Sequence, residues 1–162
     1  MISKDSFCKN IKKYESAMYA VAVSVVQNDT DAGEVLSESI YRAYDHLDSL
    51  KMESAFKAWI LRIVHNTAVD FLRTNAKYKG LEYASLEETE KGVDLTTKLA
   101  LKDAVQSLNP PYRTVVVLYY YENLSVNQIA KIMNSNATAV RQQLSRARKM
   151  LKSLLKEDFA NA

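Results

Sequence analysis

Glycine and proline are scarce in this 162-residue chain, at three and two residues. The turns of a many-stranded sheet need more of both, so a β-rich fold is excluded. The single cysteine, Cys8, rules out an internal disulfide, and His46 and His65 are the only histidines, so there is no ligand cluster for a structural zinc. Cysteine used this sparingly suits a reducing cytosol. Long apolar runs are missing too: the strongest, around Val115–Tyr121, is far too short to span a bilayer, and MISKDSFCKN has no apolar signal-peptide core. A soluble cytoplasmic protein without direct membrane insertion is expected. Also absent are a phosphate-cradling glycine loop, a nucleophile–histidine pairing and a carboxylate constellation on an evident pocket. The chain is therefore not expected to be an enzyme, and no cofactor or metal is expected.

Apolar residues make up 48% of the chain, enough for a packed core, and charged residues an ordinary 25%. Ala, Leu, Lys, Glu and Gln recur in long periodic runs, which favours an all-α fold. The net charge of +3 is uneven. Residues 1–76 carry 9 basic and 10 acidic side chains, residues 77–95 carry 3 and 5, and residues 96–162 carry 10 and 4. The basic character belongs to the C-terminal third, the footprint of a phosphate-contacting module.

Three helices are expected in the first part of the chain. One runs from Ile11 to about Val26. A second is N-capped by Asp31, with Leu36, Ile40, Ala43 or Tyr44, and Leu47 buried and Glu34, Ser37, Glu38 and Arg42 on the opposite face. A third runs from about Ala55 to Arg73, with Phe56, Ile60, Ile63, Thr67 and Phe71 inward. Arg62, Asn66, Asp70 and Arg73 line another face of it at four- and three-residue spacing. Trp59 is expected in the core and His65 on the surface. Residues 77–95 hold two of the three glycines and five carboxylates without a sustained period, so a linker joins domain 1–76 to domain 96–162.

Beyond the linker a helix is expected at about Leu95–Leu108, followed by Asn109-Pro110-Pro111 as an N-cap signal. TVVVLYYY has strand-like composition but no partner strand nearby, so it is assigned to helix. Ser125-Val126-Asn127-Gln128 matches a capping box that opens a short helix with Ile129, Ala130 and Met133 inward. Asn134–Asn136 makes a tight turn. In the following helix Val140, Leu144, Ala147 and Leu151 form one apolar stripe.

A capped short helix, a tight turn and a basic second helix describe a helix-turn-helix. Its second helix would present Asn136, Ala137, Thr138, Arg141 and Gln142 to base edges, where Arg can pair with guanine and Gln with adenine. Arg146, Arg148 and Lys149, further along, would mostly meet phosphates, with Ser145 on the same DNA-facing surface. A plain solvated basic helix has the same local pattern, and a membrane-surface helix a similar one.

The context separates these readings. DAGEVLSESIYRAY (31–44), FKAWILRIVHNTAVDFLR (56–73) and the unit from Leu108 to Leu151 stand in order, and together they resemble the extracytoplasmic-function sigma factors of the bacterial sigma-70 family. The resemblance covers about Tyr14 to Leu155. It implies two small helical domains, sigma regions 2 and 4, in a protein that binds core RNA polymerase and opens promoters. It also implies that Asp31, Glu34, Ser37, Glu38 and Arg42 form the surface that grips the β′ clamp helices, and that region 4 meets the β flap. Arg62, Asn66, Asp70 and Arg73 would engage the −10 element, and the loop Asp48–Ser54 would hold an extruded base. The recognition helix would read the −35 element, and an anti-sigma protein would hold the factor inactive. This chain departs from the family at Ser37, where glutamine is usual, at Asn123 and Asn134, where glycine is frequent, and at Thr138 and Ala139. The competing expectations are a stand-alone helix-turn-helix regulator with a dimerising or sensing N-terminal domain, and a helical interaction module that never touches DNA.

Overall fold

The computed structural model describes residues 2–79 and 97–160, and every regular element among them is helical. Most of the expected 77–95 linker lies outside the described residues. α1 (Lys4–Val26) begins earlier than its apolar period suggested, because Ser3 caps it by accepting a hydrogen bond from the Ser6 amide at 3.1 Å. α2 (Asp29–Asp45) is capped by Asn28 rather than Asp31: the Asn28 side chain accepts from the Asp31 amide at 2.7 Å and donates to the Asp31 carboxylate at 2.6 Å. α3 (Phe56–Lys79) runs past Arg73, the expected end.

These three helices pack against one another as a bundle. The face of α2 buried deepest is Ala32, Val35, Ser39 and Ala43, while Leu36, Ile40 and Leu47 pack only partly buried at its margin. Small residues occupy the centre because α2 meets both α1 and α3 there. On α3 the fully buried set is Phe56, Ile60, Leu61, Val64, Thr67 and Ala68, so the stripe is wider than expected and Ile63 and Phe71 are half-buried. A helix with neighbours on two sides buries a broader arc than one with a single contact. His65 is buried, contrary to expectation, because it lies within this arc.

α4 (Thr97–Ser107), α5 (Tyr112–Val116), α6 (Val126–Ile132) and α7 (Ala137–Ala160) build the second unit. The expected Asn109 side-chain cap is absent, as the residue preceding α5 is Pro111; Asn109 instead accepts from the Arg113 amide through its carbonyl at 3.1 Å. TVVVLYYY is helical as expected, but its second half, Val117–Tyr121, widens into a π-helical turn. The Glu122 amide reaches back to the Val117 carbonyl at 3.0 Å, and Asn123 then reverses the chain with φ 57°. Asparagine is one of the few non-glycine residues that take this conformation readily.

The two units touch. α3 packs on α6, and α1 packs on α5 and the π-helical turn. Val115, Leu118, Ile129, Ile132, Val140 and Leu144 share one apolar cluster with Val21, Phe56, Ile60 and Leu61. A smaller cluster of Val105, Leu108, Val116 and Ala147 lies wholly within the second unit.

Candidate nucleic-acid interface

α6, its turn and α7 form the expected helix-turn-helix. Both halves of the capping box are made: Ser125 Oγ accepts from the Gln128 amide at 3.1 Å, and Gln128 Oε1 accepts from the Ser125 amide at 2.9 Å. Ile129 and Ile132 are the deeply buried residues of α6, with Met133 at the edge. In the turn Asn134 is left-handed at φ 54°, and the Ser135 amide closes on the Ala130 carbonyl at 2.8 Å. Asn136, one of the expected base readers, caps α7 by accepting from the Ala139 amide at 2.9 Å.

Val140, Leu144 and Ala147 are buried and Leu151 half-buried, so the apolar stripe of α7 is the seam that holds it to its neighbours. Thr138, Arg141, Gln142, Ser145, Arg146 and Lys149 are exposed away from that seam, and Ala137 is partly exposed at the start of the helix. Arg148 has a different environment. Its Nε donates to the Tyr120 hydroxyl at 2.6 Å, and its guanidinium lies 5.8 and 5.7 Å from the Tyr119 and Tyr120 rings. It borders an open apolar groove of about 590 Å³ between α4, the π-helical turn and the end of α7, lined by Leu101, Val105, Val116, Tyr121, Leu151 and Leu155.

On α3 the expected −10 residues do share a face, and each has a partner. Arg62 donates to Asn134 Oδ1 at 3.1 Å, and Asn66 Oδ1 accepts from Asn134 Nδ2 at 2.8 Å. Asp70 accepts from Arg42 at 3.0 Å and stands 3.9 Å from Arg73. Arg42 also bonds Glu38 at 3.1 Å. Burial works against the charge on Arg42, but the Asp70 and Glu38 carboxylates outweigh it and raise its pKa. Glu38 and Arg42 of the surface assigned to polymerase are thus joined to Asp70 and Arg73 of the face assigned to the −10 element by one chain of ion pairs. On α2, Glu34, Ser37 and Glu38 are exposed on one face, while Asp31 belongs to the Asn28 cap.

The loop before α3 is held in place by its ends. Trp59 packs against Phe56 but is only partly buried, and its indole N–H donates to Ser49 Oγ at 2.9 Å. Ser49 Oγ donates in turn to the His46 carbonyl at 2.7 Å, and Leu50 is buried. Met52 stands 65% exposed at the crest.

Sequence reasoning missed the residues that join the two units. Arg113 is 3% exposed; its Nε donates to the Ser24 carbonyl at 2.6 Å and Nη1 donates to the Leu108 carbonyl at 2.6 Å and to that of Gln106 at 3.2 Å. Burial lowers its pKa to about 10. Ser24 and Thr114 share a hydrogen bond at 3.1 Å beside it, and Lys57 donates to the Glu122 carbonyl at 2.9 Å. Arginine just before an unbroken apolar run was the one available signal. No group of three potential metal ligands occurs among the described residues.

Comparison with known proteins agrees with this architecture. Residues 11–78 match sigma-70 region 2, and residues 98–151 match sigma-70 region 4. RNA polymerase sigma factor SigV of Bacillus subtilis is 31% identical over 152 residues, covering 93% of this chain and 92% of that one. The ECF RNA polymerase sigma factor SigW of the same organism is 27% identical, over 95% and 91%. Among solved structures, the sigma factor RpoE in complex with the anti-sigma factor NepR from Bartonella quintana has the same fold, with a TM-score of 0.76, 23% identity and coverage of 95% and 98%. CnrH in complex with the cytosolic domain of CnrY has a TM-score of 0.69 at 24% identity, over 96% and 91%. A match to region 2 across the N-terminal unit leaves the stand-alone regulator without support. The chain belongs to the sigma-70 family, as a sigma factor of the extracytoplasmic-function group.

Proposed function

We propose that this chain binds core RNA polymerase and directs it to promoters, with the work divided between its two units. The observation that carries this reading is the pairing, in one chain, of a region 2 bundle bearing an acidic α2 face with a region 4 helix-turn-helix bearing an exposed basic α7 face. α7 reads the −35 element: Thr138, Arg141 and Gln142 meet base edges, with Asn136 and Ala137 at the helix start. Ser145, Arg146 and Lys149 meet the backbone. Arg148 serves the groove wall first, since its guanidinium is engaged by Tyr120. The α3 face of Arg62, Asn66, Asp70 and Arg73 engages the −10 strand, and the fastened loop at Asp48–Ser54 receives an extruded base.

Glu34, Ser37 and Glu38, with Asp31 and Arg42 beside them, dock on the β′ clamp helices. The apolar groove beside α7 receives the β flap. The protein acts in the cytoplasm, carries out no covalent chemistry of its own and is held in check by an anti-sigma protein.

The test is to add the purified chain to core polymerase on a promoter-bearing genomic library. Promoter-directed transcripts are expected only when both are present. Tight sequence-specific binding by the chain alone, with no transcript at any template, would overturn the reading.

A further inference from the structure

We propose that Asn134 is a latch that closes the free chain by occupying the residues meant for −10 DNA. The inference rests on the assignment of Arg62 and Asn66 to the −10 strand. One carboxamide serves both: its oxygen accepts from Arg62 at 3.1 Å and its nitrogen donates to Asn66 at 2.8 Å, across 72 and 68 residues of sequence. A base edge offers the same kind of adjacent donor and acceptor. Asn134 and a nucleotide therefore compete for one pair of side chains.

The backbone gives no reason for this side chain. Asn134 has φ 54°, a conformation that glycine takes with least strain, so a side chain here is tolerated rather than needed. Lys57, on the same helix α3, adds a second fastening to the Glu122 carbonyl at 2.9 Å and carboxylate at 3.5 Å. Beneath both, α3 packs on α6 within a continuous apolar cluster.

The closed form cannot be the form that spans a promoter. Elements centred near −35 and −10 lie roughly 85 Å apart along B-form DNA at about 3.4 Å per base pair. A compact chain of this length has a radius of gyration of about 15 Å, hence a width of roughly 40 Å. The two units must part along both the α3–α6 contact and the contact of α1 with α5, where Arg113 bonds the Ser24 carbonyl, and parting frees Arg62 and Asn66 at the same moment. Polymerase, by holding the units apart, selects the open population and exposes the −10 face only when it is present.

The experiment places a donor and an acceptor dye on the full chain at Lys12→Cys and Lys131→Cys, in a Cys8→Ser background, and reads single-molecule energy transfer. The free chain should be almost wholly in one high-transfer state. Asn134→Gly, which suits the left-handed turn, should raise the open fraction about fivefold, and Lys57→Ala should raise it further when combined. Core polymerase should move the parent and the variants alike to low transfer. An unchanged open fraction in Asn134→Gly, or a chain still closed on polymerase while it supports transcription, would overturn the latch. If closure and its loss in Asn134→Gly are seen but no promoter library yields transcripts, it is the sigma-factor reading that fails.

Discussion

At Arg141, the side chain is exposed beside the reading face of α7, clear of the buried stripe, so its removal should leave the fold intact. Arg141→Ala should cost about 1–3 kcal/mol of discrimination at the −35 element. Polymerase binding should be unchanged. Transcription from templates randomised at −35 checks this; retained selectivity would mean that another residue reads the base. His65 makes a different prediction. Burial lowers its pKa below the ordinary value of 6.5, and Nδ1 has no hydrogen-bond partner. The folded state therefore binds a proton less readily than the unfolded chain. Stability is fully present above about pH 6.5 and is lost as pH falls below it. Urea unfolding at pH 7.5 and pH 5 should show this loss, and His65→Gln should flatten it. Both residues were visible in the sequence, but only Arg141 could be given its environment. A histidine between an apolar Val64 and a polar Asn66 gives no sign of which side of a broad buried arc it occupies.

At the scale of elements, the helices were legible because each states its own period and its own caps. Ser125–Gln128 is the clearest case: the four residues name the start of α6, and both reciprocal bonds form. Ser125→Ala should cost about 1 kcal/mol of stability, measured by denaturant unfolding, with α6 the first helix to gain amide exchange. At α2 the expected cap was three residues too late: Asn28 rather than Asp31 takes the position, because its side chain bonds both the amide and the carboxylate of Asp31. The π-helical turn at Val117–Tyr121 left no periodic trace, since one turn of five apolar and aromatic residues is too short to show a period.

At the scale of the whole molecule, the acidic face of α2 is the surface on which polymerase binding should depend. Glu34→Lys is the cleaner test, because Glu38 also pairs with Arg42 and a reversal there would disturb Asp70 as well. Glu34→Lys should weaken binding to core polymerase by about tenfold at low salt, less at high salt, with unfolding stability unchanged. Affinity measured by fluorescence anisotropy across a salt series checks both parts. Loss of stability with intact binding would move the docking surface elsewhere. Exposed ion pairs such as Glu38–Arg42 contribute little to stability singly, so the Glu38–Arg42–Asp70–Arg73 chain acts mainly by orienting the α2 and α3 faces relative to each other.

The sequence by itself determined the all-helical fold, the helix-turn-helix, the basic third of the chain and the family, because periodicity, caps and motif spacing are local properties written within a few turns. Tertiary structure alone decided that Arg148 turns to Tyr120, that His65 is buried, that Arg113 reaches Ser24, and that Asn134 covers Arg62 and Asn66. Except for the burial of His65, which depends on how broad an arc of α3 is covered, those pairings join residues 28 to 89 positions apart. No helical period carries information over that distance. The Arg113 and Asn134 pairings follow only once the two units, each legible alone, are packed together, and the Arg148 pairing only once α7 lies against the π-helical turn.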